Sequence, residues 1–182
     1  MFQIQRLNHA VLYVRDAERV ARFYQEVLGF VVTEHMGDRA YFLKTNATTD
    51  NNHDLGLFSI GANAPAPTQG ERVGLYHLAW QVDTVDELEQ ARTTLVALDG
   101  YTGESSHGAT KSVYGHDPDG NEFEIMWMLP REEWGDYENA APIEHLDLSA
   151  ELRRWSGVGT AGRLQPGSVD APASETAVQA PR

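Results

Sequence analysis

Two stretches of the chain carry the same punctuation. His9 lies in the apolar run Leu7 to Val14, seven residues before Asp16, a residue suited to capping a helix. His77 lies in a second apolar run, Val73 to Val82, seven residues before Thr84, which can do the same. Sliding the first half by 68 positions superposes both pairs. A chain that restarts in this way is built from two copies of one supersecondary unit, each burying a face that it cannot bury alone.

The rest of each half fills in that unit. In the first, His9, Val11 and Tyr13 share one face of a strand, and Val20, Phe23, Tyr24, Val27 and Leu28 follow at helical spacing up to a stop at Gly29. Strands are expected over Phe30 to Thr33, Ala40 to Lys44 and Leu55 to Ile60, with a polar loop from Thr45 to His53. Gly61 to Gly70 reads as a linker. In the second half, Thr84 and Glu87 form a capping box, and Val85, Leu88, Ala91 and Leu95 mark one helix face. Strands follow near Lys111 to Tyr114 and Asn121 to Trp127, while Leu98 to Ala109 shows no clear pattern. The expected architecture is α+β: paired βαβββ modules, about 4–60 and 72–129, in one domain over 4–129. An acidic extension with Trp134 and Tyr137 occupies 130–155, with room for a short helix between Pro142 and Trp155. The Gly/Pro/Ala/Ser-rich stretch 156–182 is expected to be a disordered tail.

Charge narrows the partners. A formal net charge of -13 argues against a nucleic-acid or membrane-surface binder, and favours a small molecule. With no cysteine, disulfides and thiolate sites are excluded, so a metal must be held by nitrogen and oxygen. No apolar run resembles a signal peptide or reaches the roughly 18 residues of a membrane span, and a cytoplasmic protein is the expectation.

One side chain stands out against this background. After the turn Pro118-Asp119-Gly120, Glu124 lies between Phe123 and Ile125, and a carboxylate among apolar strand residues is costly to bury unless it is paired or bound to a metal. Two histidines and a carboxylate are a common ligand set for divalent iron, with positions left open for substrate and dioxygen. His9, His77 and Glu124 supply that set. Taken singly, each histidine reads better as a core residue and Glu124 as a solvent-facing one; the recurrence of the histidines in both halves reverses that balance.

From Ile4 to Trp127 the sequence resembles the vicinal oxygen chelate superfamily of glyoxalases, bleomycin-resistance proteins and extradiol dioxygenases, on Asp117-Pro118-Asp119-Gly120-Asn121 followed by Glu124. It is most similar to a small type I extradiol (catechol 2,3-) dioxygenase. The resemblance implies a cup-shaped mixed sheet around one metal, with His9, His77 and Glu124 as ligands to Fe(II), or alternatively Mn(II). It implies His53 as acid/base residue and Tyr114, ten residues before Glu124, as a hydrogen-bond partner of a substrate oxygen. The substrates would be a catechol-type diol and dioxygen, the product a ring-opened semialdehyde, and the assembly a homodimer.

Two alternatives remain at this level. A glyoxalase-type lyase or isomerase acting on a hemithioacetal would resemble this chain but usually has a fourth metal ligand where the 68-residue shift puts Gly56 opposite Glu124; Asp54 is the nearest carboxylate. A non-catalytic drug-binding protein could share the fold but has no use for a full ligand set. His53 lies three positions before Gly56, so a regular strand would turn it from the Gly56 face unless a bulge or a later strand start intervenes. His107 lies in a loop seven residues before Tyr114, as readily at the pocket mouth as in contact with substrate; His116, beside Gly115 and the turn, is left outside the site. His35 and His145 read as surface residues.

Overall fold

Each half folds as the repeat predicts. The computed structural model describes residues 2–4, 6–45, 51–67 and 73–160. In the first module, β1 (Ala10–Val14) leads into α1 (Ala17–Leu28), and β2 (Val31–His35), β3 (Ala40–Lys44) and β4 (Leu55–Ser59) follow, in the sheet order β1-β4-β3-β2. The second repeats it with β5 (Leu78–Val82), α2 (Val85–Ala97), β6 (Tyr101–Ser106), β7 (Thr110–His116) and β8 (Glu122–Met128), in the order β5-β8-β7-β6. The first strand of each module runs parallel to the last, and the other pairings are antiparallel. Both first strands begin later than the apolar runs suggest, so His9 and His77 each sit one residue ahead of a strand.

Local chemistry sets the helix ends. The Asp16 carboxylate accepts from the Arg19 N–H at the start of α1, and Gly29 ends it in the left-handed region at φ 68°. Thr84 and Glu87 complete the capping box of α2. The stretch without a sequence pattern contains β6, a strand of polar and small residues (YTGESS) at the edge of its sheet beside β7, which lacks an apolar rhythm.

The helix-bearing faces of the two sheets share a core. Val20, Tyr24, Leu43, Leu55 and Leu57 centre one part, Leu88, Leu95, Phe123, Ile125 and Trp127 the other, and Phe23, Leu28 and Trp80 pack against both. Phe30 meets Trp80 edge-on at 5.0 Å between centroids, and Tyr24 meets Phe123 at 6.0 Å. The opposite face of each sheet stays open: Val11 is 51% and Tyr13 72% exposed on β1, itself a sheet edge.

The Asp117–Asn121 turn staples the modules together. Asp117 folds it, accepting from the N–H groups of Asp119 and Asn121 and from the Asn121 amide at 2.8–2.9 Å; burial nonetheless pushes its carboxyl above the usual range. The buried Asp119 carboxylate then crosses to the first module. It accepts from the Arg15 N–H at 2.5 Å, from Arg15 Nη1 at 3.2 Å and from the Arg19 guanidinium.

The extension wraps the second module. Two short 3-10 turns, Arg131–Glu133 and Gly135–Asn139, precede α3 (Leu148–Trp155), where Trp155 packs on Trp127 at 6.2 Å. Order continues past the expected start of the tail at Ser156. The Asp86 carboxylate accepts from Ser156 Oγ and the Gly157 N–H at 2.6 and 2.7 Å, and Val158 is buried in the second-module core. Thr160 adds hydrogen bonds from its N–H to the Asp83 carbonyl at 2.8 Å and from its Oγ1 to the Met128 carbonyl at 3.1 Å, and the remainder, 161–182, lies outside the described residues.

Candidate metal and substrate site

In the second module, strand register collects the polar groups on the open face. Glu124 lies opposite Tyr114 on β7 and Ala79 on β5, with Val113, Phe123 and Ile125 turned to the core. His77 reaches over from the start of β5, its Nε2 2.9 Å from Glu124 Oε2. Ser112 Oγ donates to the other carboxylate oxygen at 2.5 Å. The Tyr114 ring stands 5.7 Å from the His77 ring, and its hydroxyl lies 3.1 Å from Ser105 Oγ and 3.0 Å from His107 Nε2. Glu122 lies on the far side of His77 and pushes the neighbouring Tyr76 hydroxyl above its ordinary value.

The first module gathers the other predicted residues on its own open face. His9 Nδ1 is 2.8 Å from Asn8 Oδ1, and its ring packs on His53 at 4.6 Å. Phe42 contacts His53 at 5.1 Å and Phe58 at 5.8 Å, giving the face an aromatic floor. His53 reaches this face because β4 begins only at Leu55, so strand alternation does not govern it. Gly56 lies between Val11 and Phe42, where an added Cβ would come 3.4 and 3.6 Å from their side chains. Asp54 is turned into its own loop. Its carboxylate accepts from the Thr45 N–H at 2.8 Å and the Asn51 amide at 2.6 Å; burial pushes this carboxyl up, but the hydrogen bonds and the nearby His53 outweigh it and hold it below the usual range.

The structure thus brings His77 together with Glu124 and Tyr114, and His9 together with His53. Among the described residues no group of three or more His, Asp or Glu side chains converges within one chain as a metal site. The His77–Glu124 pair fits a divalent ion by its chemistry. Adjacent donors around an ion with bonds of about 2.1 Å stand roughly 3 Å apart, close to the observed 2.9 Å. His77 Nδ1 is buried with no hydrogen-bond partner among the described residues, and Glu122 Oε1, 3.9 Å away, is the type of carboxylate that orients a metal-bound imidazole.

The remaining histidines divide. His107 joins the Tyr114 cluster, a role its spacing in the sequence left open. His116 lines an open cleft of about 620 Å³ with Asp16, Arg19, Phe23 and Leu98, which includes neither His77 nor Glu124. His35 stacks on Tyr41 at the surface, and His145 is exposed.

A strand–helix–three-strand unit used twice, with histidines leading the first strand of each copy, defines the paired-module glyoxalase-like class of α+β folds. The chain belongs to the Glyoxalase/Bleomycin resistance protein/Dioxygenase superfamily, whose family model matches residues 6–125. It is similar to the catechol-2,3-dioxygenase of Bacillus subtilis, 29% identical over 128 residues that cover 70% of this chain and 43% of that protein. The chain therefore spans less than half the length of that relative. A virulence protein of Salmonella typhimurium is 33% identical over 127 residues, 67% of this chain and 83% of that protein. Among solved structures, the lactoylglutathione lyase of Agrobacterium tumefaciens is similar at 25% identity and a TM-score of 0.50, covering 68% of this chain and 94% of its own. No helix among the described residues is long and apolar enough to cross a membrane.

Proposed function

We propose that the protein is a metal-dependent ring-cleaving dioxygenase that opens a catechol-type diol by extradiol cleavage. The observation that carries this reading is the His77–Glu124 pair at 2.9 Å with the Tyr114 phenol beside it on one open sheet face. His77 and Glu124 would hold Fe(II), with Mn(II) as the alternative, and His9 would complete the set. When bound, the ion supplies Lewis acidity that favours the deprotonated diol and a route for electrons between diol and dioxygen.

The chain's own groups prepare that chemistry. Ser112 fixes one Glu124 oxygen and so aims the other at the site. Phe42 and Phe58 offer an aromatic wall to a ring substrate. In this reading His53, whose ring packs on His9, is the group that takes a diol proton. Gly56 offers no donor where a lyase of this fold would place a fourth ligand, and the Asp54 carboxylate is engaged in its loop, which favours oxygen chemistry over hemithioacetal isomerisation.

The site closes as a homodimer in this reading. β1 and β5 are both sheet edges, and Val11, Tyr13 and Tyr76 leave apolar surface open beside the two half-sites. A two-fold arrangement lays the first module of one copy over the second module of its mate, so that His9 of the partner subunit meets His77 and Glu124. The reading is tested by loading the protein anaerobically with Fe(II) and adding catechol and dihydroxybiphenyl in air. Oxygen uptake matched to diol loss, with a yellow ring-opened product, supports it. Metal binding with turnover of a hemithioacetal and no oxygen uptake supports the lyase instead.

A further inference from the structure

The C-terminal extension reaches the site through one side chain. His107, between β6 and β7, has Nδ1 3.0 Å from the Pro142 carbonyl oxygen, and Nε2 2.8 Å from Ser105 Oγ and 3.0 Å from the Tyr114 hydroxyl. A carbonyl oxygen only accepts, so Nδ1 carries the ring proton, and in the neutral imidazole Nε2 is left as a bare acceptor.

That assignment gives the cluster a direction. Ser105 Oγ and the Tyr114 oxygen are 3.1 Å apart, closing a triangle in which Nε2 offers no proton. Two hydroxyl hydrogens can turn at most two of these three contacts into hydrogen bonds. Ser105 donates to His107 while Tyr114 donates to Ser105, or Tyr114 donates to His107 while Ser105 donates to Tyr114, or both hydroxyls donate to Nε2. In each of these patterns the Tyr114 hydrogen is drawn into the triangle, and a lone pair of its oxygen remains for the open face.

We propose that His107 is a positioning residue: the extension holds it in the Nδ1–H tautomer, and it thereby makes Tyr114 a hydrogen-bond acceptor toward the substrate, receiving a diol O–H rather than donating to a diol oxygen. The diol rests on the ring-cleaving reading; the tautomer and the direction of the cluster do not. The extension is well placed to impose this state. Glu144 and Ser106 exchange two backbone hydrogen bonds at 2.9 Å, and Tyr137 lies where a Cβ on Gly108, at φ 76°, would collide with its ring. The buried Lys111 ammonium ties Ser106 to Glu151 of α3 at 2.9 and 3.1 Å.

The test uses the full chain with nitrogen-15-labelled histidine. The His107 signals, identified by their loss in His107→Asn, are expected to show a protonated Nδ1 and a bare Nε2, the reverse of the usual solution preference; a protonated Nε2 with a bare Nδ1 overturns the proposal. A pair of variants separates positioning from anchoring. Asn can place its amide N–H near Nδ1 and keep the bond to Pro142 while offering nothing at Nε2; Gln extends a carbonyl acceptor toward Tyr114. With thermal melts as the folding control, kcat of His107→Gln is expected to exceed that of His107→Asn by roughly tenfold, about the worth of one good hydrogen bond. Equal rates, or a faster Asn variant, would mean that His107 only anchors the extension. If the unmodified protein turns over no diol, the ring-cleaving reading fails, and the nitrogen signals still decide the tautomer and with it the direction of Tyr114.

Discussion

Asp119→Ala removes the staple between the modules, and its cost can be worked from the partners left behind. The Asp119 side chain is 4% exposed, whereas its partners Arg15 and Arg19 are 27% and 50% exposed. Breaking a fully buried pair costs about 3–5 kcal/mol because a charge is stranded away from water. Here both guanidinium groups can turn to solvent, so that part shrinks, and the larger loss is the charge-assisted bond to the Arg15 N–H. About 2–3 kcal/mol is expected in total. At about 2–4 °C per kcal/mol for a chain of this size, Tm falls by roughly 4–12 °C. Asp119→Asn keeps an acceptor for the Arg15 N–H and should lose about half as much. Urea melts and calorimetry at one fixed protein concentration give both values, since self-association would make the apparent stability depend on concentration. An Ala variant within about 0.5 kcal/mol of the unmodified protein would refute the view that this turn ties the two modules together.

The other predictions concern the site and its loop. Glu124→Ala should lose Fe(II) and turnover together, whereas His53→Ala should keep the metal and slow turnover by about a hundredfold or more; metal analysis with steady-state rates separates the two. Mixing His9→Ala chains with Glu124→Ala chains and allowing them to exchange should restore one of the two sites in each mixed dimer; exchange without recovered metal binding would place the ligands within one chain. Asp54 is held below the ordinary carboxylate range, so its contribution to stability is present above its unfolded value of about 3.9 and is lost as pH falls through its lower folded value. Denaturant melts of Asp54→Asn should therefore show less loss of stability below about pH 4 than melts of the unmodified chain.

What the sequence disclosed and what it hid follow from the range of the interactions. The repeat around His9 and His77 was legible because strand rhythm and helix caps are local, and it carried the paired-module architecture with it. Glu124 stood out for the same reason, an acid within an apolar strand. The start of β4 at Leu55 was legible, but the orientation of His53 was not, because His53 precedes that strand and no alternation fixes the direction of a loop side chain. β6 was hidden by its polar, glycine-containing edge. The role of His107 lay furthest from view: its partner is a backbone carbonyl at Pro142, 35 residues on, and a carbonyl leaves no mark on sequence. Likewise Asp117-Pro118-Asp119-Gly120-Asn121 reads as a turn, and only the fold reveals that Asp119 crosses to Arg15 and Arg19.

In the proposed reaction both atoms of dioxygen enter the product of the diol. Single-turnover reaction of the Fe(II)-loaded protein with catechol under oxygen-18 gas, quenched at once and weighed by mass spectrometry, decides it. A ring-opened product carrying both labelled oxygen atoms is predicted, with prompt quenching limiting exchange of the aldehyde oxygen. Loss of the diol with no label in the product would rule out extradiol cleavage.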